Sequence, residues 1–231
     1  MNRLQSELRR LYLPHSAADA AASSLIDSEG RVRAMVLELA RPASWEVLSK
    51  VWRGVQTDFE LPAPAIAVSG TEGLQLWFSL SEAISVPQAS AFLELLRLRF
   101  LPDVAPQRLG LMPEHARHAP WVPAQQEPSG NWSAFVAPDL APVFADTPWL
   151  DIQPSNEGQA ELLARLESIK PPAFEAALAR LRPAAPQLAA PATQTRSLDA
   201  KRFLQQVMND DTVALALRIE AAKALLPYQD D

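Results

Sequence analysis

The chain has 231 residues, 48% of them hydrophobic and 21% charged, with a net charge of -6 and no cysteine. This is the composition of a globular protein with one moderate domain and an appendage, and the missing thiols exclude disulfides, thiolate zinc sites and a cysteine nucleophile. No stretch approaches the roughly 18 to 20 apolar residues of a membrane span, and Arg3, Glu7, Arg9 and Arg10 stand where a signal peptide needs an apolar core, so the expectation is a cytoplasmic protein with no membrane partner.

Leu4 to Leu13 reads as a short amphipathic helix, with Leu4, Leu8, Leu11 and Tyr12 at helical spacing and Pro14 limiting it. Val32 to Leu39 is the aliphatic run of a strand. Pro42 and Ser44 then supply a turn and an N-cap for a helix over 45–59, whose Val47, Leu48, Val51, Trp52 and Val55 share one face. After Pro62 and Pro64, the strands Ala65 to Val68 and Leu74 to Leu80 are joined by Ser69-Gly70-Thr71-Glu72-Gly73, which predicts a hairpin. Pro87 opens a helix to about Phe100 that carries Phe92, Leu95, Leu96 and Phe100 inward.

Shorter strands are expected over 108–112 and 132–137, separated by a Pro-rich loop from Pro113 to Gly130. Ser155 begins a helix with Leu162, Leu163, Leu166 and Ile169 on one side, and a further helix follows Pro171 and Pro172 to about Arg182. The main domain is therefore 1–182, a mixed sheet with flanking helices. Residues 183–196, with Pro183, Pro186 and Pro191 among many Ala, read as a linker able to span roughly 40 Å in an extended conformation. Residues 197–231 read as a helical hairpin.

The acidity is unevenly placed: residues 1–112 hold 11 basic and 12 acidic side chains, whereas 113–195 hold 5 and 9. A net negative chain argues against a strongly basic nucleic-acid groove. The nearly neutral first half still leaves room for a local basic patch around Arg97, Arg99 and Arg108.

The stretch Ala63-Pro64-Ala65-Ile66-Ala67-Val68-Ser69-Gly70-Thr71-Glu72-Gly73-Leu74-Gln75-Leu76-Trp77-Phe78 resembles the central motif of archaeo-eukaryotic-type primase-polymerases. In that family a strand, a Ser/Gly turn and a second strand carry Gly-x-His before an aliphatic and an aromatic residue, and the Ser and His contact the nucleotide's phosphates. An upstream strand bears two alternate acids that hold divalent metals, followed by a helix and a Pro-rich entry. Here Val36-Leu37-Glu38-Leu39-Ala40, the helix over 45–59 and Leu61-Pro62-Ala63-Pro64 fall in that order. The resemblance covers about 30–140. It implies a nucleotide-binding role for Ser69, Gly70, Gly73 and Gln75, and a metal-binding and catalytic role for Glu38 with Mg or Mn.

The departures from the family fall on its chemical positions. Ala40 stands in place of the second acid, and alternate residues of a strand share one face, so a metal would be held there from one side only. Gln75 replaces the His and can donate a hydrogen bond without carrying a charge. Asp103 and Asp139 are both candidates for the third acid. The expectation is a primase-polymerase-like binding module, non-catalytic or weakly active, in a DNA-replication, mobile-element or phage-related complex, with DNA or nucleotide as ligand. Two alternatives stand beside it: an active metal-dependent nucleotidyltransferase, and a structural α/β interaction protein with no nucleotide role.

Other constellations carry less. His115 and His118 beside Glu114 lie between Pro113 and Pro120 with no third ligand nearby, so a solvated loop is expected. Gly70-x-x-Gly73 lacks the helix with Lys and Ser/Thr of a Walker loop, and Ser69 lacks a nucleophile elbow. In the carboxy-terminal part, the segment from Phe203 to Asp210 and that from Leu217 to Tyr228 resemble a region of some phage terminase small subunits. Phe203, Leu204 and Val207 on one helix and Ile219 and Leu226 on the next form apolar stripes, which implies docking on the main domain, on a second copy of the chain or on another protein.

Overall fold

The computed structural model describes residues 2–14 and 24–182, and of the carboxy-terminal part residues 204, 207, 209, 218–220, 222 and 223. The chain divides into two compact units, Met1–Arg182 and Pro183–Asp231. In the first, a five-stranded antiparallel sheet has the order β4-β1-β3-β2-β5. Its strands are β1 (Arg31–Ala40), β2 (Ala65–Val68), β3 (Gly73–Ser85), β4 (Leu109–Met112) and β5 (Ala134–Val136). The helices are α1 (Arg3–Leu11), α2 (Trp45–Thr57), α3 (Val86–Phe100), α4 (Asn156–Ala164) and α5 (Pro171–Leu181).

The connectivity follows from the hairpin and the two helical crossovers. Strands β1 and β2 are joined through α2 with β3 between them, and β3 and β4 through α3 with β1 between them. This is a double split β-α-β arrangement, the ferredoxin-like topology. The hairpin strand β2 has the expected limits, whereas β3 runs on to Ser85 because Arg31 and Val32 pair with Ser85 and Ile84. Ser44 caps α2, and Ser85 and Gln88 form a capping box on α3.

Both faces of the sheet are covered. On one, Met35, Leu37 and Leu39 of β1, Ile66 and Val68 of β2 and Leu74, Leu76 and Phe78 of β3 pack with buried residues of α2, α3 and α5. On the other, Ala34, Val36, Ala65, Ala67, Trp77 and Phe135 meet Leu4, Leu11 and Tyr12, then Ala160 and Leu163 of α4, then Ala119 and Val122 of the Pro-rich loop. That loop is thus a packed cover for the second face, and its Ala119 is 8% exposed.

Two expectations are corrected in detail. The helix from Ser155 ends at Ala164, and Ile169 leaves it to run beside β3, its N–H donating to Ser79 O (2.8 Å) and its carbonyl accepting from Ser81 N (2.9 Å). Arg97 and Arg99 do not form a free basic patch with Arg108. Arg97 pairs with Glu94 at 2.6 Å, Arg99 with Asp58 at 3.8 Å, and Arg108 donates to Pro42 O at 2.6 Å.

At the sheet's far end a buried arginine holds α1 in place. The β1–β3 register slips between Val32, opposite Ile84, and Ala34, opposite Ser79. Arg33 lies in that slip and is 2% exposed. Its guanidinium donates to Leu80 O, Leu13 O and Arg10 O, each at 2.8 Å. Burial, and then the charge of Arg10, lower its pKa from the ordinary arginine value. The carbonyls at the negative end of α1 compensate that burial.

In the second unit Leu204, Val207 and Asn209 are helical, as are 218–220, Ala222 and Lys223. Leu204 and Val207 are half-buried and Ile219 is exposed. Phe203 and Leu226, and the whole of 183–196, lie outside the described residues. Among the described residues no helix is long and apolar enough to cross a membrane.

Candidate functional site

Glu38 sits near the carboxy-terminal end of β1, on the face shared with Val36 and Ala40, with Gln75 of β3 opposite it on one side and Gly110 of β4 on the other. The Gln75 amide donates from Nε2 to Glu38 Oε2 at 3.1 Å, and the Trp77 indole donates from Nε1 to Gln75 Oε1 at 2.8 Å. An indole N–H only donates, so the carbonyl end of Gln75 faces Trp77 and its amino end faces Glu38. Trp77 is itself fixed, 5.3 Å from the Tyr12 ring and 5.9 Å from Phe135 between centroids.

The glutamate leans towards the hairpin. A Cβ at Gly73 would lie 2.1 Å from Glu38 Oε1 and 2.8 Å from its Cδ, so only glycine fits while the carboxyl holds this position. Burial raises the Glu38 pKa above its ordinary value, and the hydrogen bond from Gln75 and the field of Arg41 offset part of that.

A carboxyl whose folded-state pKa is raised favours the fold fully below its unfolded value, near 4.5, and loses that contribution as pH rises through the folded value. Glu38→Gln keeps an acceptor for Gln75 and removes the cost of burying charge. The variant is expected to have a higher thermal midpoint than the parent at neutral pH, with the gain vanishing below about pH 4.5. An unchanged or lowered midpoint at neutral pH would contradict the assignment.

Of the residues expected to bind nucleotide, the structure brings Gly73 and Gln75 to Glu38, while Ser69 and Gly70 form the adjoining turn. The Ser69 hydroxyl accepts from Gly73 N at 2.9 Å and from Thr71 N at 3.2 Å. Ser69 N donates to Gly73 O at 2.9 Å and Gly70 N to Pro148 O at 3.0 Å. Gly70 has φ +81°, and a Cβ there would lie 2.7 Å from Ser133 N, so the turn abuts the strand entry after the Pro-rich loop. These amides are engaged within the protein. A phosphate would have to displace those bonds to use them.

Among the described residues no three His, Asp or Glu side chains are placed to share an ion, so Glu38 belongs to no group of that size. Asp103 and Asp139 are both exposed. With Ala40 beside it and a neutral amide opposite, Glu38 does not fit a bracketed pair of divalent ions.

The two loop histidines differ. His115 is exposed, whereas His118 is tucked against the sheet, its Nδ1 accepting from Ala119 N (2.8 Å) and its Nε2 facing Ala34 O (3.1 Å). Both ring nitrogens are engaged, and burial lowers its pKa. The expectation of a solvated loop therefore holds for His115 and fails for His118, whose role is to fasten the loop over the Trp77 face. Sequence reasoning missed Trp77, Gly110 and His118 as parts of this neighbourhood. The alternation of Gln75 and Trp77 on one strand was a signal available for the first. Compared with known protein families and with curated proteins, the chain matches none.

Proposed function

We propose that this protein is a primase-polymerase-like binding module without polymerase chemistry, acting in a DNA-replication, mobile-element or phage-related complex. The observation that carries this reading is the pairing of Glu38 with Gln75 at 3.1 Å, where the resembled family has a carboxylate beside a cation-bearing histidine. The succession of β1, α2, a Pro-rich entry and the β2–β3 hairpin supports the outline. The chemistry at its centre supports binding in place of catalysis. A single carboxylate with an amide neighbour cannot stabilise both the attacking and the leaving oxygen of a phosphoryl transfer.

Titrating the full chain into fluorescent single-stranded DNA, and separately into a labelled nucleoside triphosphate, tests the ligand class. Saturable binding of one of them that weakens with added salt is the expected result. No saturation with either at millimolar protein would leave the structural α/β interaction protein as the better reading.

A further inference from the structure

β4 is one edge of the sheet. Leu109, Gly110, Leu111 and Met112 are all half-exposed and none carries a charge. In antiparallel pairing alternate residues turn their N–H and C=O groups away from the neighbouring strand. On β4 the Leu109 N–H donates to Pro106 O, and the remaining outward groups have no partner among the described residues. Edges of monomeric sheets are commonly blunted by charge, proline or a bulge. β4 has none of these within it, and Pro106 and Pro113 only set its length.

Beside this edge lies a carboxyl group that feels the field of Arg41 but has no cation in ion-pair contact. Glu38 makes no ion pair among the described residues and is bonded only by the neutral amide of Gln75. The cations of this end are otherwise engaged: Arg41 donates to Gln107 O at 2.7 Å, and Arg108 to Pro42 O at 2.6 Å. Between Glu38 and the open edge stands Gly110. A Cβ there would meet Glu38 alone, at 3.4 Å from its Cβ and 3.8 Å from Oε2. The missing side chain leaves room for about one methyl group beside the carboxyl on the β4 side.

We propose that β4 accepts an extended segment of a partner protein as a further strand, with a lysine in register with Gly110 whose ammonium reaches Glu38 over the glycine. Backbone pairing supplies affinity in such strand addition, and side-chain pockets supply specificity. Strands lie about 4.8 Å apart, so the four-carbon lysine stem crosses above Gly110 to place its charge at the carboxyl. An ammonium there also offsets the burial that disfavours the Glu38 carboxylate. This inference stands apart from the nucleic-acid reading, since it needs neither nucleotide nor metal.

The probe is a short blocked peptide of alternating Thr and Val with one central Lys, titrated into the full chain and followed by backbone amide shifts. The expected result is saturable binding with the largest shifts in 109–112, weakened about tenfold when the peptide's Lys is replaced by Glu. Glu38→Gln should reduce the preference for Lys over Glu to about twofold or less. Gly110→Val, which keeps a strand-favouring residue and fills the room beside the carboxyl, should remove the preference while leaving the protein folded. Equal binding of the Lys and Glu peptides, shifts centred away from β4, or no binding at millimolar peptide would overturn the proposal. So would self-association of the chain through β4 that the peptide does not compete.

Discussion

Replacing Arg33 by Met is expected to lower the unfolding free energy by about 3–5 kcal/mol, among the largest effects of any single substitution in this chain. The guanidinium is 2% exposed and has carbonyl oxygens for partners: Leu80 from the slipped part of the β1–β3 ladder, and Leu13 and Arg10 from the end of α1. Methionine matches the apolar stem but leaves those carbonyls buried without donors, each at a cost of about 1–3 kcal/mol. Urea denaturation should show a lower midpoint with an unchanged slope. Amide exchange should be fastest where α1 meets the sheet. A loss below about 1 kcal/mol would mean that α1 is held by its apolar face alone.

Trp77→Ala is expected to cost about 3–5 kcal/mol, since the indole is 1% exposed and in ring contact with Tyr12, Phe135 and His118. The more informative variant is Trp77→Phe. It keeps most of the apolar contact but leaves Gln75 Oε1 without its donor, at a cost of about 1–3 kcal/mol. The Gln75 amide then has no reason to keep its amino end on Glu38, and the hydrogen bond that holds the Glu38 pKa down is weakened. The titration of Glu38, followed by side-chain carboxyl shifts, should therefore move upward in Trp77→Phe. A Phe variant as stable as the parent with an unmoved Glu38 titration would show that the indole N–H does not orient the pair.

Much of the architecture was legible because periodicity and punctuation agree. Pro62 and Pro64 delimit β2, Ser44 caps α2, and the five residues from Ser69 to Gly73 can only close a hairpin. What escaped were features set by distant chain segments. Nothing local marks Arg33 as buried, because its partners come from α1 and from β3. The Pro-rich loop reads as solvated because its prolines and charges dominate its composition, while the few apolar residues that fasten it, Ala119 and Val122, are spaced without a period.

At the site, the alternation on β1 and β3 places Glu38, Ala40, Gln75 and Trp77 on one face, and this is readable from sequence. The strand order that sets Gly110 beside Glu38 is not, since β4 reaches β1 only after the crossover through α3. Ser69 shows the opposite limit. The motif indicates its position in the turn, yet the direction of its hydroxyl depends on bonds to Thr71 and Gly73 that form only when the hairpin closes.

The most direct test of the central claim is extension of a primed template by the purified full chain, with Mg or Mn and all four nucleotides supplied, compared between the parent and Glu38→Ala. A binding module with one carboxylate at its centre should give no extension that depends on Glu38, in either metal. Robust extension by the parent that is lost in Glu38→Ala would contradict the account and establish an active nucleotidyltransferase.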